Sequence, residues 1–438
     1  MAITVPQSRL ILRTIMSTLR NNLAASGLVE WEMHSAEMND RNGFIVSEQV
    51  GPEYTITETT GAVADLSGGV QDTVFGSQTF TLNRVFGMSM GASDIEHVTS
   101  LAEARRARAL NNGMARLASR IDAHVFDVAA RAFPFSTGDW GVDITDPEEF
   151  AQARTKLAEA SIESDMDLNG VLTHRDRQKL AKFIYNNNAS LTNEGTRAMR
   201  RGFSGTLDGI PLRASNQLGR ITTGSRTNGT VAGAAQNVNY ADVADSASNA
   251  GRYMTQTLNL AGLGAGGTVK AGEVFSIAGV TAWDPEIGQA RPFAAQFTVI
   301  ADATADGAGA ATVTIFPAII VQTGTAVVNN AHATVDVAPA NGAVVTFEGA
   351  ASTTYTPRVM WKKEAIVAHS APLILPYTGQ GFRRSLAEAE RDGQAPVMPR
   401  LWLFSDPNTG SHKARVDVFV EAQVRNRFQG IKFFGSTV

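Results

Sequence analysis

Apolar side chains return along this chain with a period that changes several times, and each change predicts a boundary. Across residues 7–25, Leu10, Ile11, Ile15, Leu19 and Leu23 fall three or four apart, with Pro6 before them and Gly27 after, which predicts an amphipathic helix. Arg9, Arg13 and Arg20 lie between the apolar positions, so this is either an arm docked on a neighbouring chain or a helix packed on its own domain. From residue 43 to 86 the period drops to two. Residues 54–60 alternate and are Thr-rich, Gly61 and Gly68-Gly69 punctuate, and residues 78–86 alternate again with Phe80 and Leu82 on one face, joined there by Arg84. That predicts a long hairpin with a polar tip. Its sides carry few large apolar groups, so it needs another surface beneath it. Helical spacing then returns: Ser93-Asp94 offer caps, Glu96 sits in the first turn, and no proline follows until Pro134. Ile95, Val98, Leu101, Leu110, Met114, Leu117, Ile121, Val125 and Val128 recur at steps of three or four, with Ala102, Ala104, Ala107 and Ala109 in the gap. One helix over 93–133 would be roughly 60 Å long; a break at Asn111-Asn112-Gly113 into two shorter helices is the competing reading.

Beyond Pro134 the pattern becomes a small α/β layer. Thr145-Asp146-Pro147-Glu148-Glu149 reads as a helix start, with proline in the first turn beside two acids. Residues 169–174 form a short buried strand, 177–185 a helix carrying Leu180, Phe183 and Ile184, and 186–201 an exposed loop. From 223 to 354 Ala, Gly, Thr, Val and Asn dominate and Lys270 is the single lysine. Short strands at 253–260, 273–278, 297–300, 312–316 and 344–347, punctuated by turns, predict a separate antiparallel β-barrel or sandwich. The earlier pattern resumes only after Pro357, so this unit interrupts another domain and its ends should lie close together. Residues 365–368 precede a turn-rich stretch at 372–381, residues 415–424 alternate with Val416, Val418 and Val420 on one face, and residues 431–434 make a last strand.

Composition narrows the function classes. Of 438 residues, 18% are charged, against about 25% in ordinary soluble domains. Assembly into an oligomer is one way to hide the remaining surface; a Gly/Ala/Thr-rich β-protein with ordinary polar coverage is the other reading. The formal net charge of −4 excludes a broad basic footprint for nucleic acid. With no cysteine there are no disulfides and no thiolate sites. No apolar run reaches membrane-spanning length, the richest, 313–321, being interrupted by Pro317, and the first residues lack a basic-then-apolar signal pattern. Synthesis in the cytoplasm is expected.

Candidate chemistry is thin. The seven histidines, His34, His97, His124, His174, His332, His369 and His412, are scattered, and no pair has a metal-clamping spacing. Gly87-Met88-Ser89-Met90-Gly91 matches the G-x-S-x-G of a serine-hydrolase elbow, with strand before and helix after, which makes Ser89 a candidate nucleophile. Against it, the helix cap lies at Ser93-Asp94, past Ser89, which is better read as a turn residue, and the repeated strand–helix units of a hydrolase sheet are missing. Gly262-Leu263-Gly264-Ala265-Gly266-Gly267 matches G-x-G-x-x-G, but a turn and a strand follow where a dinucleotide site requires a helix. No catalytic, cofactor-binding or metal residue is expected.

The order of parts, namely arm, β-excursion, long helix, α/β layer, inserted β-domain and closing strands, resembles the α+β fold of the major capsid proteins of tailed phages. Residues 202–212 (GFSGTLDGIPL), 270–280 (KAGEVFSIAGV) and 358–366 (RVMWKKEAI), with 165–176 as a strand-then-helix counterpart, are similar in collinear order to the Lederbergvirus-type coat protein, the gene five product. Residues 382–410 depart most from that pattern. The resemblance implies an N-terminal arm (1–42), an extended loop (43–86), a peripheral domain with a spine helix (87–140, completed by 411–438), an axial domain (141–222, completed by 355–410) and an inserted β-barrel (223–354). It also implies hexamers and pentamers in an icosahedral shell of the virion, with triangulation number seven typical of such relatives. Assembly would proceed in the host cytoplasm around a scaffolding protein, with a portal protein at one vertex, a decoration protein as a further partner, and expansion as dsDNA is packaged without sequence-specific binding. An encapsulin-like cargo shell and a serine hydrolase using Ser89 are the alternatives.

Overall fold

The computed structural model describes residues 23, 25–33, 45–54, 73–92, 100–160, 168–188, 206–207, 210–244, 253–322, 327–371, 373, 385–386, 397, 399–406 and 411–436. The helix expected at 7–25 lies outside them but for Leu23 and Ala25, and so do residues 55–60 of the alternating segment, the tip of the excursion, the caps Ser93-Asp94 and residues 189–201 of the loop expected at 186–201, whose first three residues instead end the helix His174–Asn188. The chain folds as two compact units, residues 1–46, 81–128 and 366–425 in one and residues 47–80, 129–365 and 426–438 in the other.

In the first unit, the strand Ser411–Val424 is the axis of a sheet. Val85–Ala92 and Pro399–Asp406 flank its first part, Ile366–Ser370 pairs with its second, and Glu30–Met33 adds in parallel to Ile366–Ser370. Val416, Val418 and Val420 are buried, as the alternation predicts, but Asp417, Phe419 and Glu421 between them are buried too, because a central strand has no solvent face. The helix Ser100–Ala132 packs Met114, Leu117, Ala118 and Ile121 against these valines. It is one continuous helix of 33 residues, about 50 Å long. Asn111-Asn112-Gly113 do not break it. Gly113 instead admits a close neighbour, since a Cβ there would stand 2.0 Å from the Met88 sulfur. The turn Ala25–Gly27 is fixed by its first amide, which donates to Asp122 Oδ1 at 2.9 Å.

In the second unit, a six-stranded mixed sheet runs Phe135–Thr137, Gly430–Phe433, Arg358–Lys362, Leu168–Leu172, Ile210–Ala214, Thr206–Leu207. Helices Pro147–Glu159 and His174–Asn188 place Phe150, Ala153, Leu157 and Leu180 on its core. The first starts where proline and the acids predict: Asp146 caps Glu148 N–H and Glu149 reaches back in a capping box. The second begins three residues earlier than its periodicity, because Thr173 and Asp176 cap it together. The last strand, Gly430–Phe433, belongs to this sheet, whereas Ser411–Val424 belongs to the first unit.

The same unit contains a closed antiparallel barrel of six strands: Gly229–Val231, Gln256–Ala261, Ala311–Phe316, Gln289–Val299, Val274–Asp284 and Val344–Phe347 in ring order. Leu258, Phe275, Ile277, Phe297, Val313, Ile315 and Val345 fill it, all at most 1% exposed. Five of these strands lie where the alternation predicts. The hairpin 274–299 is longer than expected on both sides, and its outer part still places Val280, Ala282 and Ala295 in the barrel core.

The excursion is shorter as a ladder than the sequence suggests. Ile45–Val50 pairs with Gly76–Thr81, the chain leaves strand geometry at 82–84, and Val85–Ala92 begins a strand of the other sheet. Phe80 and Leu82 are buried as expected, while Arg84 is exposed. Within the second unit, Val74 packs beside Tyr240 and Tyr253, and Gly76 lies so close to Tyr253 that a Cβ would stand 2.5 Å from the ring.

Candidate functional site: buried ion pairs and the barrel neck

Ser89 fails as a nucleophile on position. It lies within the strand Val85–Ala92, exposed, paired in register with Arg415, and the strand runs three residues past it. An elbow needs its serine on the turn between strand and helix. The expectation of a turn residue is corrected as well. Gly87 has a different purpose: a Cβ there would be 2.6 Å from Asp417 Oδ1, and that fully buried carboxylate accepts from Arg415 Nε at 2.6 Å and Arg400 Nη2 at 2.8 Å. The other glycine motif, 262–267, joins two strands, with Gly262, Gly264 and Gly266 at φ of 76°, 89° and 66°, so glycine supplies left-handed turns there. Of the histidines, His124, His332 and His369 are buried and His174 is exposed; the side chains of His34, His97 and His412 lie outside the described residues. Among the described residues no group of three His, Asp or Glu is placed to hold a metal ion.

The buried charges mark the ends of the barrel insertion. Ile221–Thr222 pairs with Thr354–Tyr355, a neck of two residue pairs that brings the barrel's ends together. Thr223 reinforces it, donating from Oγ1 to Ala350 O at 2.7 Å and accepting there from Thr353 N–H at 2.9 Å. On the barrel side, Glu273 is 0% exposed and accepts from Gly224 N–H and Lys270 N–H, each at 2.7 Å, and from Arg226 Nε. The Arg226 guanidinium lies 4.0 Å from the Phe347 ring centroid and donates to Glu348 O at 3.2 Å. On the sheet side, Arg358 grips Asp176 with two bonds of 2.7 Å, and its Nη2 also reaches Asp143 at 2.8 Å. Burial alone would lower the Arg358 pKa; the two carboxylates outweigh it and raise it. Asp143 shows the converse, with burial overcome by Lys179 and Arg358, so that its carboxyl is held below the usual range.

Two lysines stand at the barrel's seat on the sheet. Lys156 donates to Ser136 O at 2.8 Å and Gln296 Oε1 at 2.7 Å, and burial lowers it to about 8. Lys432, 0% exposed, donates to Gly272 O at 2.7 Å; burial, then Arg427 and Arg131, push its pKa well below the ordinary lysine value.

This set of pairs holds a fold together and presents no reacting constellation. The family model described as "P22 coat protein - gene protein 5" matches residues 10–435. The chain belongs to the P22 coat protein family. As a P22-type coat protein it is a major capsid protein, a structural protein that forms the phage shell and has its place in the virion. The fold class expected from the residue pattern, α+β of the tailed-phage capsid type with an inserted barrel, is therefore correct. No curated protein matches the chain. Among solved structures it is similar to "Mycobacterium phage Che8" (10% identity, TM-score 0.42, covering 94% of this chain and 90% of that one). It is similar also to "Capsid structure of the Cyanophage P-SCSP1u" (9%, TM-score 0.44, 94% and 87%) and to "CUS-3 coat protein I-domain" (26%, TM-score 0.21, 27% and 94%). With TM-scores under 0.5 these likenesses add no weight, and the assignment rests on the family match.

Three of these buried charges lie in stretches that carried the resemblance: Glu273 in 270–280, Asp176 in 165–176 and Arg358 in 358–366. Their mutual pairing was not legible, because the Arg226–Glu273 and Asp176–Arg358 partners are 47 and 182 positions apart. A usable signal was present for Asp417 and Lys432: each is a charge with an apolar residue on either side, Val416 and Val418 for the first and Ile431 and Phe433 for the second.

Proposed function

We propose that the chain assembles as hexamers and pentamers around a separate scaffolding protein into a procapsid that expands when dsDNA is packaged, with a portal protein at one vertex and a decoration protein as a further partner. The observation that carries this is membership of the coat family across residues 10–435. In the same reading residues 1–42 are the arm, 43–86 the extended loop, 87–140 with 411–438 the peripheral domain, 141–222 with 355–410 the axial domain, and 223–354 the insertion. The two-pair neck and the closed barrel support the last of these. No catalytic step is part of this reading, which the exposed mid-strand position of Ser89 supports. A near-neutral chain suits an inner wall that must release DNA, since dense phosphate contacts would oppose ejection. The test is co-expression with and without the neighbouring genes, read by negative-stain microscopy and sedimentation. Uniform closed shells are expected only when a scaffold gene is present. Uniform shells from the chain alone, or stable monomers under both conditions, would refute the scaffolded route, and labelling of Ser89 by a serine-hydrolase probe would refute the non-catalytic one.

A further inference from the structure

The barrel closes on itself and has its own core, so a small set of contacts must orient it on the sheet. Its neck is two residue pairs long. Away from the neck, the Gln296 side chain on strand Gln289–Val299 accepts from Ser136 N–H at 2.9 Å and donates to Ser136 O at 3.2 Å. Lys156, from helix Pro147–Glu159, donates to both Ser136 O and Gln296 Oε1, so three residues from three elements share one knot of four hydrogen bonds. Among the described residues, the hydrophobic clusters of barrel and sheet meet only at Phe293 and Phe428, both partly buried. Lys156 lies over the Phe293 ring, 5.6 Å from its centroid.

Such a junction differs in kind from either core. Hydrogen bonds exchanged for water have small net worth, whereas opening an apolar core costs in proportion to the area wetted. Parting the barrel from the sheet at this knot therefore wets the two cores only at their edges, around Phe293 and Phe428. We propose that Ser136, Lys156 and Gln296 form a latch, made and broken as one, which with the buried Lys432–Gly272 bond holds the inserted barrel in a single orientation, and that the barrel swings about the two-pair neck when both are open. A subunit that occupies several positions in a shell would use such freedom, but the latch concerns the isolated chain, so it can fail or stand independently of the scaffolded assembly route.

Amide hydrogen exchange on the full-length unassembled chain tests it. Gln296→Ala should speed exchange of the Ser136 amide by about tenfold or more while the barrel amides of Leu258, Val313 and Val345 keep their protection. Gln296→Glu retains an oxygen for both the Ser136 amide and Lys156, and should stay within about twofold of the parent at Ser136. The latch is overturned if Ser136 exchanges at the parental rate in Gln296→Ala, or if the glutamate variant exchanges as fast as the alanine one. It is equally overturned if protection falls together at Ser136 and through the barrel, since barrel and sheet would then be one cooperative body.

Discussion

Glu273→Ala is the most demanding test of how the inserted barrel is held. The carboxylate is 0% exposed and satisfies three donors, the Gly224 and Lys270 amides and Arg226 Nε. Truncation strands the Arg226 guanidinium, whose side chain is 3% exposed, with one carbonyl and the Phe347 face for company. Leaving one partner of a buried ion pair unpaired costs about 3–5 kcal/mol. The Gly224 amide, also buried, adds about 1–3 kcal/mol, whereas water can reach the Lys270 amide. A total of about 5 kcal/mol is comparable with the whole stability of many domains. With a urea slope of about 2 kcal/mol/M, the barrel's midpoint should fall by about 2 M or more. The readout is hydrogen exchange of the Val299 and Val313 amides along a urea series, which follows the barrel apart from the rest of the chain. Glu273→Gln keeps an oxygen acceptor and should cost about 2 kcal/mol. Arg226→Met with Glu273→Leu removes both charges and should be less damaging than Glu273→Ala alone, since well-packed apolar replacements of buried pairs are often near neutral. A cost below about 1 kcal/mol for Glu273→Ala, or a double variant as unstable as the single one, would refute the assignment of a desolvated, mutually dependent pair.

Two further outcomes follow from local geometry. His332 stacks on Tyr240 with ring centroids 3.4 Å apart, and burial lowers its pKa from 6.5 to about 4, the Glu53 carboxylate 3.6 Å from Nδ1 being largely exposed. A depressed histidine contributes stability that is intact above pH 6.5 and is lost as pH falls from 6.5 towards 4, reaching about 3 kcal/mol; urea midpoints against pH should show this slope in the parent and not in His332→Phe, and equal slopes would refute it. In the G-x-S-x-G stretch, Gly87→Ala should cost about 1–3 kcal/mol by pushing on Asp417, while Ser89→Ala stays within about 0.5 kcal/mol, and urea midpoints in the reverse order would show the strand geometry to be wrong.

What was legible in the residue pattern was whatever depends on near neighbours. The capped start at Asp146-Pro147 and the long helix through Ala132 are set within a few residues by caps and spacing. Five barrel strands were visible because a half-buried strand alternates. The strand 411–424 was only half legible: its valines alternate, yet Asp417 and Glu421 are also inside, and of the partners that permit this Arg415 lies on the strand itself, while Arg400 and His124 come from elsewhere. The alternation across 78–86 predicts one continuous strand, because nothing in Leu82-Asn83-Arg84 announces that Val85 will pair with Phe419 instead. Pairing partners are a tertiary property, and a period of two is the same whichever sheet receives the strand. Ser89 was misplaced for a similar reason, since a Gly-x-Ser-x-Gly stretch fits a turn by propensity and only the ladder with 411–424 makes it a strand.

The two buried arginine pairs have a common placement. Arg226 follows the first neck strand, Ile221–Thr222, by four residues, and Arg358 follows the second, Thr354–Tyr355, by three, so each chain leaving the neck soon meets a buried carboxylate, one on the barrel side and one on the sheet side. A two-pair ladder of Thr, Ile and Tyr specifies its own register weakly, because a slipped version forms the same backbone bonds. Slipping either strand by one position would withdraw an arginine from its partner and leave a buried charge alone, at about 3–5 kcal/mol. Register at the neck is thus enforced from outside the neck by groups that would be costly to misplace. That is a sounder account of these pairs than net stabilisation, since the desolvation of each ion consumes much of what the attraction returns. It also explains why charges this deep sit at the joint between two bodies, Arg226 and Glu273 on the barrel side and Arg358 and Asp176 on the sheet side, while the barrel interior and the sheet core are filled with Leu, Ile, Val and Phe.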